Sequence, residues 1–191
     1  MIKLETEQFA RLMEQVRAGD QIAAAELVAC YEPEIRRDIR LRLTNPKLRR
    51  VVDSMDISQS VFGNFFVRAV HGEFDLQRPE QLLGLLSKMA TNKVIDRHRR
   101  ETVRRSHDTI DIPVDQRQIV DMQPTASDIV AGNELVSRFQ ARMTDDECKL
   151  AELRRDGQSW KEIAAELGGN AEALRKRLAR ACDRVVSELG L

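Results

Sequence analysis

Residues 159–181 read SWKEIAAELGGNAEALRKRLARA, and this stretch indicates a helical fold. Ser159 and Glu162 have the S-x-x-E spacing of a capping box, in which each side chain bonds a backbone N–H of the other residue. The Gly-Gly pair that follows interrupts the apolar period, and Asn170 is a favourable N-cap for a second helix. The stretch therefore predicts two short helices separated by a glycine turn, the pattern of a helix-turn-helix.

Another helix is predicted just before this stretch. Thr144 is a favourable N-cap for it, the helix should cover residues 145–156, and Gly157 should end it.

The second helix of the helix-turn-helix carries charged residues on the side away from its apolar stripe. Arg and Lys are the side chains that most often bind guanine edges and phosphates in DNA complexes. The candidate DNA-contacting residues are Glu172, Arg175, Lys176, Arg177 and Arg180. The structural alternative is a solvated helix face on which Glu172 and Lys176 form an i, i+4 pair worth about 0.3 kcal/mol.

A second cation-rich segment follows an apolar helical stripe that contains Leu82, Leu86 and Ala90. From Lys88 to Arg105 there are seven Lys and Arg against two acidic residues. Cations at a helix end also complement the helix dipole, which is the alternative reading. Seven cations exceed that need, so we expect this helix to present a nucleic-acid-binding face.

The distribution of charge divides a neutral chain of 191 residues into three segments. The whole chain has 31 Lys and Arg and 31 Asp and Glu, whereas the net charge is +4 over residues 1–105, −3 over 106–127 and −1 over 128–191. The middle segment has two prolines, no lysine and no helical period. We therefore predict an all-α protein in which two small helical domains, 1–105 and 128–191, are joined by a flexible acidic linker, 106–127.

Helical periodicity continues through the first predicted domain. Phe9, Leu12 and Val16 lie on one face of a helix that should end before Gly19. Pro33 falls between two apolar stretches, and proline usually interrupts a helix. We therefore expect one helix to end at Pro33 and another to follow it.

Several protein classes are excluded or disfavoured by the sequence. No apolar run reaches the ~20 residues needed to span a bilayer, and three cysteines with no signal peptide favour a reducing cytoplasm. The histidines and cysteines lack metal-ligand spacing, and no nucleotide-binding or nucleophile motif is present. We expect no metal, no cofactor and no enzymatic activity. The enzyme alternative is a helical hydrolase that uses Asp53, Asp56 and His71.

Three stretches of the chain carry a family resemblance: residues 53–62 read DSMDISQSVF, residues 85–100 read LLSKMATNKVIDRHRR, and residues 159–181 contain the helix-turn-helix pattern. They resemble bacterial RNA polymerase sigma factors of the extracytoplasmic-function (ECF) subfamily. The first stretch is similar to the polymerase-binding signature of sigma region 2, and the second is similar to the promoter-binding part of the same region. Residues 159–181 are similar to the helix-turn-helix of sigma region 4. The resemblance covers nearly the whole chain in the family's order.

The resemblance implies contacts with polymerase and with the minus-ten promoter element in the first domain. Docking on the beta-prime clamp helices of core RNA polymerase would use Asp53, Asp56, Ile57, Gln59 and Ser60, where Ser60 replaces the family's usual acidic residue. Capture of the unstacked minus-ten strand requires a basic track and a pocket for a flipped base. The matching residues are Lys88, Asn92, Lys93, Arg99, Arg100 and Phe74, the last in a loop from His71 to Pro79.

The resemblance also implies the role of the rest of the chain. Residues 128–191 would bind the minus-thirty-five element and the polymerase beta flap, and the acidic linker would lie in the polymerase channel or serve as a tether. An anti-sigma protein is a further expected partner. The function implied is that of an ECF-type sigma factor, which binds core polymerase and directs promoter-specific initiation. The alternative is a stand-alone helix-turn-helix regulator that binds DNA without replacing sigma.

Overall fold

The structure is a computed structural model that describes residues 5–43, 54–105 and 134–191, with the backbone alone for residues 100–105. All regular elements in these ranges are α-helices, which confirms the all-α prediction. They are α1 (Thr6–Arg17), α2 (Gln21–Arg42), α3 (Ser54–Val70), α4 (Pro79–Arg105), α5 (134–140), α6 (Asp145–Arg155), α7 (Trp160–Leu167) and α8 (Ala171–Leu189). The predicted linker, 106–127, and the start of the second predicted domain lie outside the described residues.

Side-chain caps set the ends of the helices in the second half, as the sequence predicts. The Ser159 hydroxyl accepts from the backbone N–H of Glu162 at 3.3 Å, and the Glu162 carboxylate accepts from the N–H of Ser159 at 2.7 Å. Thr144 and Glu147 form a second capping box at the start of α6. These bonds satisfy N–H groups that a helix start leaves without partners. The predicted capping boundaries of α6 and α7 are therefore confirmed.

The prediction that Pro33 separates two helices is wrong. α2 runs without interruption from Gln21 to Arg42, with Pro33 exposed inside it. An interior proline costs about 3 kcal/mol because a backbone hydrogen bond is lost. On either side of it, Tyr31, Ile35 and Ile39 continue one buried stripe against α3 and α4. Packing of this stripe offsets the local cost.

One cluster of buried residues lies among α1, α2, α3 and α4. Phe9, Leu27, Ile35 and Phe65 are all fully buried in it. The Phe65 ring stacks on Phe74 at 5.8 Å between centroids. This cluster holds α3 and α4 in a fixed arrangement, so the exposed faces of both helices are presented by a rigid base.

A second cluster lies among α5, α6, α7 and α8, and α3 adds one side chain to it. Phe139, Leu150, Ile163 and Leu178 are all at most 1% exposed. Val67 of α3, also 1% exposed, belongs to this cluster and not to the first. The two halves of the described chain are consequently in direct contact.

Within the described ranges, no helix combines the length and the apolar character that a bilayer span requires.

Candidate nucleic-acid and polymerase interfaces

The helix-turn-helix places α8 with one face buried and the opposite face exposed. Asn170 Oδ1 accepts from the backbone N–H groups of Glu172 at 2.8 Å and Ala173 at 3.3 Å, and this cap begins α8. Leu178 is fully buried, with α6 and α7 packed against the same side of the helix. The predicted reading face of α8 is therefore held outward by the burial of its apolar side.

Two of the predicted DNA-contacting cations on α8 share one carboxylate. Arg175 donates two hydrogen bonds of 2.9 Å to Glu172, whose carboxylate also lies 3.6 Å from the Lys176 ammonium. The hydrogen bonds from Arg175 lower the pKa of Glu172 below its usual value, and the nearby positive charges of Arg175 and Lys176 act in the same direction. All three side chains are more than half exposed. Such surface pairs are weak, so a phosphate can take the place of the carboxylate.

The other two predicted cations of α8 also have partners within the second half. Arg177 donates to Asp146 of α6 at 2.8 Å, and Arg180 donates through Nε to the Lys176 carbonyl at 3.2 Å. Arg177 and Asp146 both lie at the surface. The sequence predicted the Glu172–Lys176 pair as an alternative, but it did not predict the bonds of Arg175 and Arg177.

The predicted minus-ten face lies along α4, opposite its buried stripe. Leu82, Leu86 and Ala90 are fully buried, whereas Lys88 and Asn92 are exposed on the other side. Of the remaining predicted residues, Arg99 is exposed, Lys93 is half-buried and the side chain of Arg100 is outside the described atoms. The helix therefore brings an exposed amide and exposed cations to one surface.

The end of α2 adds a cation beside this face that sequence reasoning missed. Arg42 donates to Asp38 at 2.9 Å and to the Ser87 hydroxyl at 3.5 Å, and Ser87 donates in turn to Asp38. Ser87 is the residue before Lys88 on α4. No local pattern signals this arrangement, because residues 45 positions apart in sequence make the contact.

The predicted polymerase-docking residues occupy the first turns of α3, with different exposures. Asp56 and Gln59 are exposed one turn apart on the same side of the helix. Ile57 is 1% exposed and packs in the first cluster, so in this structure it supports the helix and offers no apolar surface. The buried Ser60 hydroxyl has no hydrogen-bond partner among the described residues. Asp53 lies outside the described residues.

Phe74, predicted to help shape a base pocket, also faces inward. Its ring packs on the first cluster and stacks on Phe65 with an interplanar angle of 5°. Its carbonyl oxygen accepts from Arg17 at 3.2 Å. In this structure the ring is partly buried against the core, and a role for Phe74 at the minus-ten element stays a prediction.

The two described residues of the hydrolase alternative, Asp56 and His71, are not brought together. Asp56 is in the first turn of α3 and His71 directly follows its last residue, which places them about 22 Å apart along the helix. His71 is 6% exposed and its Nδ1 lies 2.6 Å from the Val67 carbonyl. Among the residues whose positions are described, no group of three or more His, Cys, Asp or Glu side chains has a metal-binding arrangement.

The chain matches a known protein family along most of its length. The model of the family described as ECF sigma factor matches residues 6–190. No curated protein matches the chain. The family match spans both halves of the molecule, including the predicted docking residues on α3, the exposed face of α4 and the predicted reading face of α8.

Proposed function

The chain belongs to the ECF sigma factor family, and on this premise we propose that it binds core RNA polymerase and directs it to specific promoters. Members of this family act in transcription initiation and are not enzymes. The observation that carries the proposal is the single family match over residues 6–190, because it includes both candidate DNA-binding surfaces in one chain. A regulator that binds a single operator needs only one DNA-binding surface.

Polymerase binding is assigned to the start of α3. Asp56 and Gln59 offer a charge and an amide on a helix that the first cluster holds firmly. The predicted clamp contact of Asp53, Ile57 and Ser60 remains a proposal, in which Ile57 acts by supporting α3. The proposed contact of α6–α8 with the polymerase flap rests on the family resemblance alone.

Promoter reading is assigned to α4 and α8. The exposed face around Lys88 and Asn92 would follow a single strand at the minus-ten element, since it combines positive charge with a side chain that can bond a base. The α8 face would enter the major groove at the minus-thirty-five element. Glu172 would then release Arg175 and Lys176 to phosphates or bases. An anti-sigma partner and a role for the linker in the polymerase channel remain proposals from the resemblance.

In vitro transcription tests the function directly. Core polymerase is mixed with fragmented genomic DNA from the source cell, with and without the chain, and the 5′ ends of the transcripts are mapped. We expect new start sites that share two spaced sequence elements only when the chain is present. Replacement of both Arg175 and Lys176 by alanine should reduce these transcripts at least ten-fold, because two candidate DNA contacts are lost.

The matched control replaces Lys149 and Lys161, which are exposed cations of α6 and α7 outside the predicted reading face. With alanine at both positions, this variant has the same net charge as the double replacement on α8. It should direct transcription from the new start sites as well as the unmodified chain does. The chain would instead be a stand-alone regulator if it failed to bind core polymerase and bound a palindromic DNA duplex when no polymerase was present.

A further inference from the structure

A carboxylate lies on the predicted reading face of α8, in the first turn of the helix. Glu172 is the second residue of α8, and its backbone N–H donates to the Asn170 cap at 2.8 Å. The recognition helix of a helix-turn-helix contacts base edges with its N-terminal residues. Glu172 therefore occupies a position suited to base contact, although the phosphates of DNA repel its negative charge.

Two cations hold this carboxylate at the surface. Arg175 donates to it through Nε and Nη2, both at 2.9 Å, and the Lys176 ammonium lies 3.6 Å away. The hydrogen bonds from Arg175 lower the pKa of Glu172, which keeps the carboxylate ionised at neutral pH. The Glu172 side chain is still 52% exposed. An ionised acceptor is thus presented to the solvent beside two donors.

The carboxylate and the guanidinium both have bonding groups left for DNA. The two carboxylate oxygens offer about four lone-pair sites, and Arg175 takes one on each oxygen. The bonds to Glu172 use the Nε and Nη2 edge of the planar guanidinium, so Nη1 lies on the side away from the carboxylate. The pair therefore offers an acceptor next to a group of donors.

The major-groove edge of a C·G pair matches this order of groups. Cytosine presents its N4 amino group as a donor, and guanine presents O6 and N7 as acceptors beside it. Thymine or guanine in the place of the cytosine offers no donor to a carboxylate. Adenine keeps an amino group, but the thymine opposite it has a single acceptor for the arginine. A Glu–Arg pair on the reading face consequently favours C·G over the other three pairs.

The simpler alternative is that Glu172 serves only the helix. An acidic residue in the first turn interacts favourably with the helix dipole, and ion pairs with residues three and four positions on add a little stability. This role requires no particular base. It predicts that neutralising Glu172 changes helix stability and the overall affinity for DNA, but leaves the order of preference among bases unchanged.

We propose that Glu172 is a specificity-determining residue, whose carboxylate accepts a hydrogen bond from the N4 amino group of one cytosine in the minus-thirty-five element. Arg175, beside it, donates to the guanine of the same pair. A wrong base leaves the carboxylate without a donor among the phosphates, so the same charge that reads cytosine rejects thymine and guanine. The identity of the DNA element rests on the proposed function.

Initiation from a randomised promoter tests this preference. The upstream element of one mapped promoter is randomised, and core polymerase transcribes the pool with the wild-type chain, with Glu172→Gln or with Glu172→Ala. With the wild type, one position of the element should favour cytosine about ten-fold over thymine or guanine. Glu172→Gln should shift that position to adenine, because an amide pairs with N6 and N7 together. Glu172→Ala should lose the preference there and keep it at the other positions.

Glu188→Gln is the matched control. Glu188 lies in the last turn of the same helix, is 45% exposed and accepts from Arg184 at 3.3 Å. The variant changes the charge of α8 by the same amount, and it should keep the wild-type cytosine. Circular dichroism should give equal helix content for the wild type and all variants, which separates base reading from unfolding.

An unchanged base preference in both Glu172 variants would overturn the inference. A uniform rise in initiation at every sequence would do the same, because the carboxylate would then act only by repelling phosphates.

Selection of duplex DNA by the full chain at low salt, without polymerase, separates the inference from the proposed function. Enrichment of cytosine by the wild type and of adenine by Glu172→Gln would support base reading even if transcription with polymerase failed. If the chain neither initiated transcription nor selected any duplex sequence, the inference and the proposed function would both be rejected.

Discussion

The two clusters of buried residues differ in how far each is complete within its own half. The first cluster is built from α1–α4 alone, around fully buried side chains such as Phe65. The second takes Val67 from α3 in addition to the residues of α5–α8. The first half thus has a core of its own, whereas the second half obtains part of its packing from the first. We therefore expect the first half to stay folded when the second half unfolds.

The largest expected effect comes from opening a cavity in the first cluster. Phe65→Ala removes a fully buried ring and should reduce the free energy of unfolding by about 3–5 kcal/mol. Because α3 also supports the second half, the urea midpoint of Trp160 fluorescence should fall together with that of far-UV circular dichroism. Trp160 is the only tryptophan of the chain and reports the second half. Unchanged Trp160 unfolding would show that the halves are independent.

The corresponding change in the second cluster should have a more local effect. Phe139→Ala removes another fully buried ring, at a similar cost per side chain, about 3–5 kcal/mol. We expect the Trp160 transition to move to lower urea while more than half of the helical signal remains until the first cluster unfolds, since the longer helices belong to the first half. A single transition seen by both probes would contradict a self-sufficient first half.

A smaller effect should follow from the side chain that connects the clusters. Val67→Ala removes two buried methyl groups and should cost about 2 kcal/mol. The loss should appear in the Trp160 transition more than in the unfolding of the first half. Val61→Ala is the control, since Val61 lies on the same helix, is 2% exposed and belongs to the first cluster. An identical response to the two substitutions would remove the special role of Val67.

The smallest expected effect is a pH dependence from His71. Burial lowers the pKa of His71 below its usual 6.5, and the positive charge of Arg155 also lowers it, against a hydrogen bond to the Val67 carbonyl. Glu152, Cys148 and Arg155 line the small cavity beside the ring. The unfolded chain therefore takes up a proton more readily than the folded one, and the second half should become less stable as the pH falls below about 6.5.

Comparison with His71→Gln isolates this contribution. The Trp160 urea midpoint should fall between pH 7.5 and pH 5.5 in the wild type, and it should fall less in the variant. Burial raises the pKa of Glu73, so this carboxyl makes the protein more stable as the pH falls, which is the opposite of the His71 effect. Glu73 is present in both proteins, so its contribution cancels in the comparison. The same pH dependence in both would exclude His71 as its source.

Local chemistry explains the parts of the fold that the sequence predicted well. The caps at Thr144, Ser159 and Asn170 join residues two or three positions apart, so their geometry follows from spacing alone. The buried stripe of α8 follows in the same way from the 3.6-residue period. The exposed cations of α4 and α8 were therefore placed on the correct faces.

Burial of individual side chains was harder to predict. The family resemblance implied contact roles for Ile57 and Phe74, yet both pack against the first cluster. Pro33 looks like a helix end, yet it lies within α2. In each case, contacts with other helices outweigh a local preference of at most a few kcal/mol.

The amino-acid sequence by itself determined the helical class, the caps, the turn before the reading helix and the family, because these depend on neighbouring residues and their order. Only the tertiary structure decided three contacts between the halves. Arg68 binds Asp183, Arg154 binds Asp75, and the Val67 side chain packs in the second cluster. These pairs lie far apart along the chain, 115 positions in the case of Arg68 and Asp183. Such distances carry no periodic signal, so only the folded backbone brings the partners together.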